Sequence, residues 1–216
     1  IHEAPEVLRN AIRGRVLYEA GTAKISALDA SAEKLSQVER ILFLSQGTSY
    51  YAGLAGKYMM EELAGISSDV LYASEFRYAP PPLNERTLVI AISQSGETAD
   101  TLEAIREAKR HRVSTLAIVN VVGSSIARET GMGIYNYAGP EIGVASTKAF
   151  ISQLAVLLLA AVWFGRQRNL SASRGKEILE ELQRLPHKAE KILSNASAIR
   201  TLAEEYASFD NFLFLG

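Results

Sequence analysis

The chain has 216 residues, 48% of them hydrophobic, and its 23 basic residues nearly offset 24 acidic ones for a formal net charge of −1. That length and apolar content support a full buried core, and the balanced charge argues against nucleic-acid binding: the one basic run, Lys109-Arg110-His111-Arg112, reads as a solvated helix C-terminus. Cysteine is absent, which excludes disulfides, thiolate nucleophiles and Cys-ligated metals and fits a reducing, cytoplasmic compartment.

In chain order, residues 1–38 read as a helical lead-in, with Pro5 early in one segment and Gly21 separating it from the next. The opening residues have no apolar signal-peptide core, and the chain does not begin with Met, which suggests an internal piece. From Arg40 onward short β-rich runs alternate with amphipathic stretches. Strands are expected at Arg40–Leu44, Asp69–Tyr72, Thr87–Ile92, Ser114–Val119 and Gly133–Tyr137, continuous apolar runs of the kind buried on both faces. Helices are expected at Ser49–Leu63, Thr98–Lys109 and Ser124–Glu129, then a long one over Ser146–Arg166 and a helical run to about Ala207. The most apolar stretch, Leu154–Phe164, is too short for a bilayer, which takes about 20 apolar residues, and no membrane partner is expected.

This alternation predicts an α/β fold: a doubly wound, five-stranded parallel sheet of flavodoxin-like type in residues 39–170, followed by a helical linker over 171–208. The closing Asn211-Phe-Leu-Phe-Leu-Gly216 repeats the form of the strand that opens the domain at Ile41. It is expected to begin a second, similar domain over 209–216, with an edge strand of the same sheet as the alternative.

Ligands of open parallel sheets bind beyond the carboxyl ends of the strands, where strand order reverses. Three polar segments fall there: Gln46-Gly47-Thr48-Ser49, Ser93-Gln94-Ser95-Gly96-Glu97-Thr98, and Glu141-Ile142-Gly143-Val144-Ala145-Ser146-Thr147-Lys148. Each runs into a helix and offers small hydroxyl residues and glycine, which lets an anion approach unpaired N–H groups. If the strand order is 2-1-3-4-5, the first two loops share one ligand. Ser49, Thr98 and Ser146, taken singly, read as ordinary N-caps. Ser93-Gln94-Ser95, directly behind a buried apolar run, is harder to explain by packing alone.

Competing motifs are weak. Gly47, Gly53 and Gly56 lack the dinucleotide spacing, no P-loop sequence is present, and His2, His111 and His187 lie outside the three loops. No metal and no Ser-His-Asp triad is expected, and no cofactor.

The segments Gly47-Thr48-Ser49-Tyr50, Ala73-Ser74-Glu75-Phe76-Arg77-Tyr78, Ser93 through Leu102 and Glu141 through Phe150 together resemble the sugar isomerase (SIS) domain, and most of all the first SIS domain of the glutamine–fructose-6-phosphate aminotransferases. The resemblance covers essentially the whole chain. It implies that Gly47, Thr48 and Ser49 lie in the loop contacting the sugar phosphate. It implies that Ser93, Gln94, Ser95 and Thr98 form the phosphate cradle, and that Val144, Ala145 and Ser146 touch the sugar. Two features depart from the family. Those enzymes begin with a glutaminase domain whose N-terminal Cys is absent here, and they usually carry Cys where this chain has Gln46. Their acid–base Glu, His and Schiff-base Lys belong to a second SIS domain and tail, so no catalytic residue is assigned in this chain.

The expected function is the hexose-phosphate-binding half of an aldose–ketose isomerase or aminotransferase, with fructose 6-phosphate or glucosamine 6-phosphate as the partner and a homodimer as the assembly. An amino-sugar-phosphate deaminase or deglycase is the alternative within the class. A non-catalytic sugar-phosphate sensor is the alternative outside it, disfavoured because the basic residues of 1–38 are matched by acidic ones. Isomerisation needs a base that passes a proton between C2 and C1. Glu97 and Glu141 are the carboxylates in these loops; Glu97 is expected to point away and serve a helix N-terminus, leaving Glu141 freer.

Overall fold

The computed structural model describes residues 1–213. In chain order the elements are α1 (Ala4–Ile12), β1 (Val16–Leu17), β2 (Thr22–Ala23), α2 (Ser26–Asp29), α3 (Ala32–Ser36), β3 (Arg40–Ser45), α4 (Thr48–Ala64), β4 (Ser67–Tyr72), α5 (Ala73–Phe76), β5 (Thr87–Ser93), α6 (Ala99–Arg110), β6 (Ser114–Val119), α7 (Ser125–Thr130), β7 (Gly133–Tyr135), α8 (Lys148–Arg166), α9 (Ala172–Leu193) and α10 (Ala196–Glu205). The main sheet has five parallel strands in the order β4-β3-β5-β6-β7, which is the order 2-1-3-4-5 expected of a doubly wound sheet.

Successive side chains of a strand point to opposite faces, and that alternation divides the core. Ile41, Phe43, Leu88, Ile90, Ile92, Leu116 and Ile118 face one side and pack with α4 and α8. Leu42, Leu44, Val89, Ala91, Ala117 and Val119 face the other, against α5, α6 and α7. Every residue of β5 and β6 is buried, which is why these strands carry no polar alternation.

Three expectations need correction. The lead-in is not helical throughout: Val16 pairs with Ala23 and Leu17 with Thr22 in a small antiparallel hairpin, turned by Gly21 at φ +60°. Strands of two residues leave no periodic signal to read. The fifth strand ends at Tyr135 rather than Tyr137, because Tyr137 takes a positive φ of 57° that breaks the ladder. The long helix starts at Lys148, two residues later than Ser146.

That helix is 19 residues long and apolar enough by composition to cross a membrane, but 78% of its most apolar window is buried inside the fold. It is the central core helix. Residues 1–38 share its cluster: Leu8, Ala11, Ile12, Ile25, Leu28 and Leu35 pack there, and Trp163 Nε1 donates to Asp29 Oδ1 at 2.8 Å. Residues 209–213 lie in no helix or strand, and the rest of the strand expected over 211–216, residues 214–216, lies outside the described residues.

Candidate functional site

Beyond the carboxyl ends of β3 and β5, the neighbours at the switch point, lies a cavity of about 200 Å³. Gln46, Gly47, Thr48 and Ser49 form one wall, Ser93, Gln94, Ser95 and Thr98 the second, and Glu141, Gly143, Val144 and Ser146 the third. The structure therefore brings nine of the ten expected site residues together. Ala145 is the exception: it is exposed and does not line the cavity. It stands between the fully exposed Val144 and Ser146, whose hydroxyl donates to Glu141.

Two helices begin at this cavity with their N-termini open. Gly47 occupies the N-cap of α4 at φ 56°, ψ −136°, a conformation that glycine adopts without a Cβ penalty, and it has no side chain to cap with. Thr98 occupies the N-cap of α6, yet its hydroxyl makes no cap bond; it lies 3.3 Å from Ser93 Oγ instead. Ser49 sits inside the first turn of α4. Neither Ser49 nor Thr98 is thus an ordinary N-cap; Tyr50 N donates to Gly47 O at 3.1 Å, and the N–H groups ahead of it in α4 and those of the first turn of α6, with their partial positive charge, are left for a ligand.

The second wall is a tight turn. Ser93 Oγ accepts from Gly96 N at 3.0 Å, and Ser95 Oγ accepts from Glu97 N at 3.1 Å. Gly96 has φ +66°, and a Cβ there would stand 2.1 Å from Ser124 Oγ, so the close approach of this turn to the start of α7 needs glycine twice over. Glu97 is directed out of the cavity: its Oε1 accepts from Ser125 N at 2.7 Å. The hydroxyl and backbone N–H of Ser125 hold its carboxyl below the usual range. It serves α7, not the helix that follows it in sequence.

Glu141 is where the expectation of a freer carboxylate fails. Its Oε2 accepts from Ser146 Oγ at 2.7 Å, and its Oε1 accepts from Thr147 N at 2.7 Å, Thr147 Oγ1 at 3.0 Å and Lys148 N at 3.1 Å. Partial burial opposes its charge, but the hydrogen bonds from Ser146 and Thr147 outweigh it and keep the carboxyl below the ordinary range. Both oxygens are committed to capping α8. The third loop consequently has no open helix N-terminus for an anion, in contrast to the first two. Ser146 Oγ also accepts from Phe150 N at 3.2 Å, so it belongs to the same cap.

One residue behind the cavity wall was not singled out from the sequence. Gln153, on α8, is fully buried and donates from Nε2 to Ser49 Oγ at 3.0 Å. Its signal was legible: Ser152-Gln153 interrupts the apolar run of α8 on a buried face, where an amide needs a partner. Among the described residues no His or Lys lines the cavity, and Lys148 Nζ is paired with Glu3 Oε2 at 2.6 Å.

A larger cavity of about 400 Å³ lies between the β1–β2 region and β7, lined by Arg13, Arg15 and Lys24 among others. It lies away from the switch point, and Arg15 is spent on the carbonyl oxygens of Ala11, at 3.1 Å, and Tyr135, at 2.6 Å. Its size therefore does not make it the first candidate.

Comparison with known proteins identifies the family to which the fold belongs. The profile of the SIS domain matches residues 34–163, more than half of the chain. Glutamine–fructose-6-phosphate aminotransferase (isomerizing) of Thermus thermophilus is 45% identical over 218 aligned residues, which span 100% of this chain and 35% of that protein. Its counterpart in Chlorobaculum tepidum is 46% identical over 216, again 35% of the relative. The chain thus spans about a third of the length of the curated relatives it matches. Among solved structures, the C-terminal domain of glucosamine-fructose-6-phosphate aminotransferase from Francisella tularensis superposes with a TM-score of 0.87 at 35% identity, over 96% of this chain and 58% of that one.

Proposed function

The chain belongs to the SIS-domain family, and on that footing we propose that its cavity holds the phosphate of a hexose 6-phosphate, as the substrate-binding half of an aldose–ketose isomerase or aminotransferase of amino-sugar metabolism. The observation that carries this reading is the convergence of two uncapped helix N-termini, those of α4 and α6, on one hydroxyl-lined cavity. Backbone N–H groups and the hydroxyls of Thr48, Ser49, Ser93, Ser95 and Thr98 together supply many neutral donors to an anion, reinforced by both helix dipoles.

The third wall takes the other end of the ligand. A phosphate beside the committed Glu141 carboxylate would be repelled, so the sugar carbons face Gly143, Val144 and Ser146, and the phosphate faces Ser93–Thr98. The cavity's 200 Å³ suits a small ligand better than a dinucleotide.

Proton transfer between C1 and C2 needs a base near its operating pH. Glu141, held ionised by its hydrogen bonds, is a poor one, and among the described residues no His or Lys lines the cavity. This chain's part in the reaction is to bind and orient the substrate. A cytoplasmic homodimer belongs to the same proposal; sedimentation of the purified chain tests the assembly.

Calorimetry tests the binding. Fructose 6-phosphate and glucosamine 6-phosphate are expected to bind and free fructose is not. Equal affinity for fructose and its 6-phosphate would sink the reading.

A further inference from the structure

The structure assigns Gln153 as a positioning residue for phosphate recognition, acting through the hydroxyl of Ser49; the inference rests on the sugar-phosphate reading of the cavity. Three observations carry it. Gln153 is 0% exposed and Ser49 4% exposed, so their contact is not shared with bulk solvent. Gln153 Nε2 donates to Ser49 Oγ at 3.0 Å across the α4–α8 interface. Gln153 Oε1 has no hydrogen-bond partner among the described residues, so this amide is not held by a wider polar network that would explain its burial.

A serine hydroxyl has one proton and two lone pairs. Facing an anion, it helps only if the proton points to the ligand. A hydroxyl left to rotate, or one whose proton is taken by an internal acceptor, presents lone pairs to the phosphate and repels it. An N–H donor behind Ser49 Oγ occupies a lone pair, and the polarised hydroxyl donates forward more strongly. Gln153 provides that donor from α8, a rigid core helix, and Ser49 lines the cavity one residue beyond the open start of α4. Burying an amide with one atom unpartnered is costly, which fits a role in the site better than one in packing.

The test is a double-mutant cycle on the full chain, with fructose 6-phosphate as the titrant. Gln153→Met preserves volume and removes the donor; it is expected to weaken binding roughly tenfold, the scale of one hydrogen bond to a charged group. In the Ser49→Ala background the same change is expected to cost less than about twofold, because its route of action is gone. Gln153→Asn repeats the cycle with an amide one methylene too short to reach Ser49, in case Gln153→Met does not fold. An equal loss in both backgrounds, or none in either, overturns the inference while leaving the sugar-phosphate reading intact. Failure of the wild-type chain to bind both fructose 6-phosphate and inorganic phosphate overturns the two together.

Discussion

The carboxylate of Glu141 accepts a hydrogen bond from the hydroxyl of Ser146 at 2.7 Å, so that the two ends of the third cavity loop are tied to each other before α8 begins. This link converts a carboxylate at the edge of a binding cavity from a candidate base into a helix cap.

Glu141→Gln is expected to cost about 1 kcal/mol of stability, the usual scale for a lost cap. Because the folded carboxyl is held below its ordinary value, its contribution is present above the unfolded pKa of about 4.3 and fades as pH falls below it. Urea melts of the two proteins should differ at pH 7 and converge in acid. A gap that persists undiminished at pH 2 would show that the charge is not what caps α8. Phosphate affinity should not fall in the variant, since a negative charge near the ligand has been removed.

Ser95→Ala is expected to weaken hexose 6-phosphate binding by roughly 1–2 kcal/mol, and Ser95→Leu by more, because bulk blocks the anion as well as removing a donor. Titration calorimetry reads both. If both variants bind as the wild type does, Ser95 only stabilises its turn through Glu97 N.

Gly96→Ala is expected to destabilise the fold by about 2 kcal/mol or more, combining a left-handed backbone with a Cβ 2.1 Å from Ser124 Oγ. Adding Ser124→Gly should recover the steric part and leave the conformational part. Thermal unfolding of the single and double variants separates them; a double variant no better than the single one would mean the clash is relieved by movement elsewhere.

Residues 1–216 are expected to bind hexose 6-phosphates without turning them over. Holding the phosphate leaves the chemical barrier nearly untouched when no base is positioned at the carbons. A coupled assay for hexose-phosphate isomerisation or glucosamine 6-phosphate deamination checks this. Robust turnover would overturn this and point to Glu141 as the base.

Much of this molecule was legible in its residues. The runs Arg40–Leu44, Thr87–Ile92 and Ser114–Val119 announce a sheet buried on both faces, because such strands lack polar alternation, and the observed strands differ from them by at most one residue. Ser93-Gln94-Ser95 behind Ile92 marks a candidate site, because three polar residues directly behind a buried run are hard to explain by packing, and the three line one cavity. Local chemistry and periodicity determine these features, and a single chain displays both. What tertiary structure alone decided is which polar atoms are already in use. Glu97 caps a helix that begins 28 residues away, Glu141 closes the start of α8, and Gln153 reaches Ser49 across 104 residues. A hydrogen bond between distant segments depends on the packing of whole elements, and no pattern along the chain encodes which donor meets which acceptor; the fold leaves the N-termini of α4 and α6 open and fills that of α8.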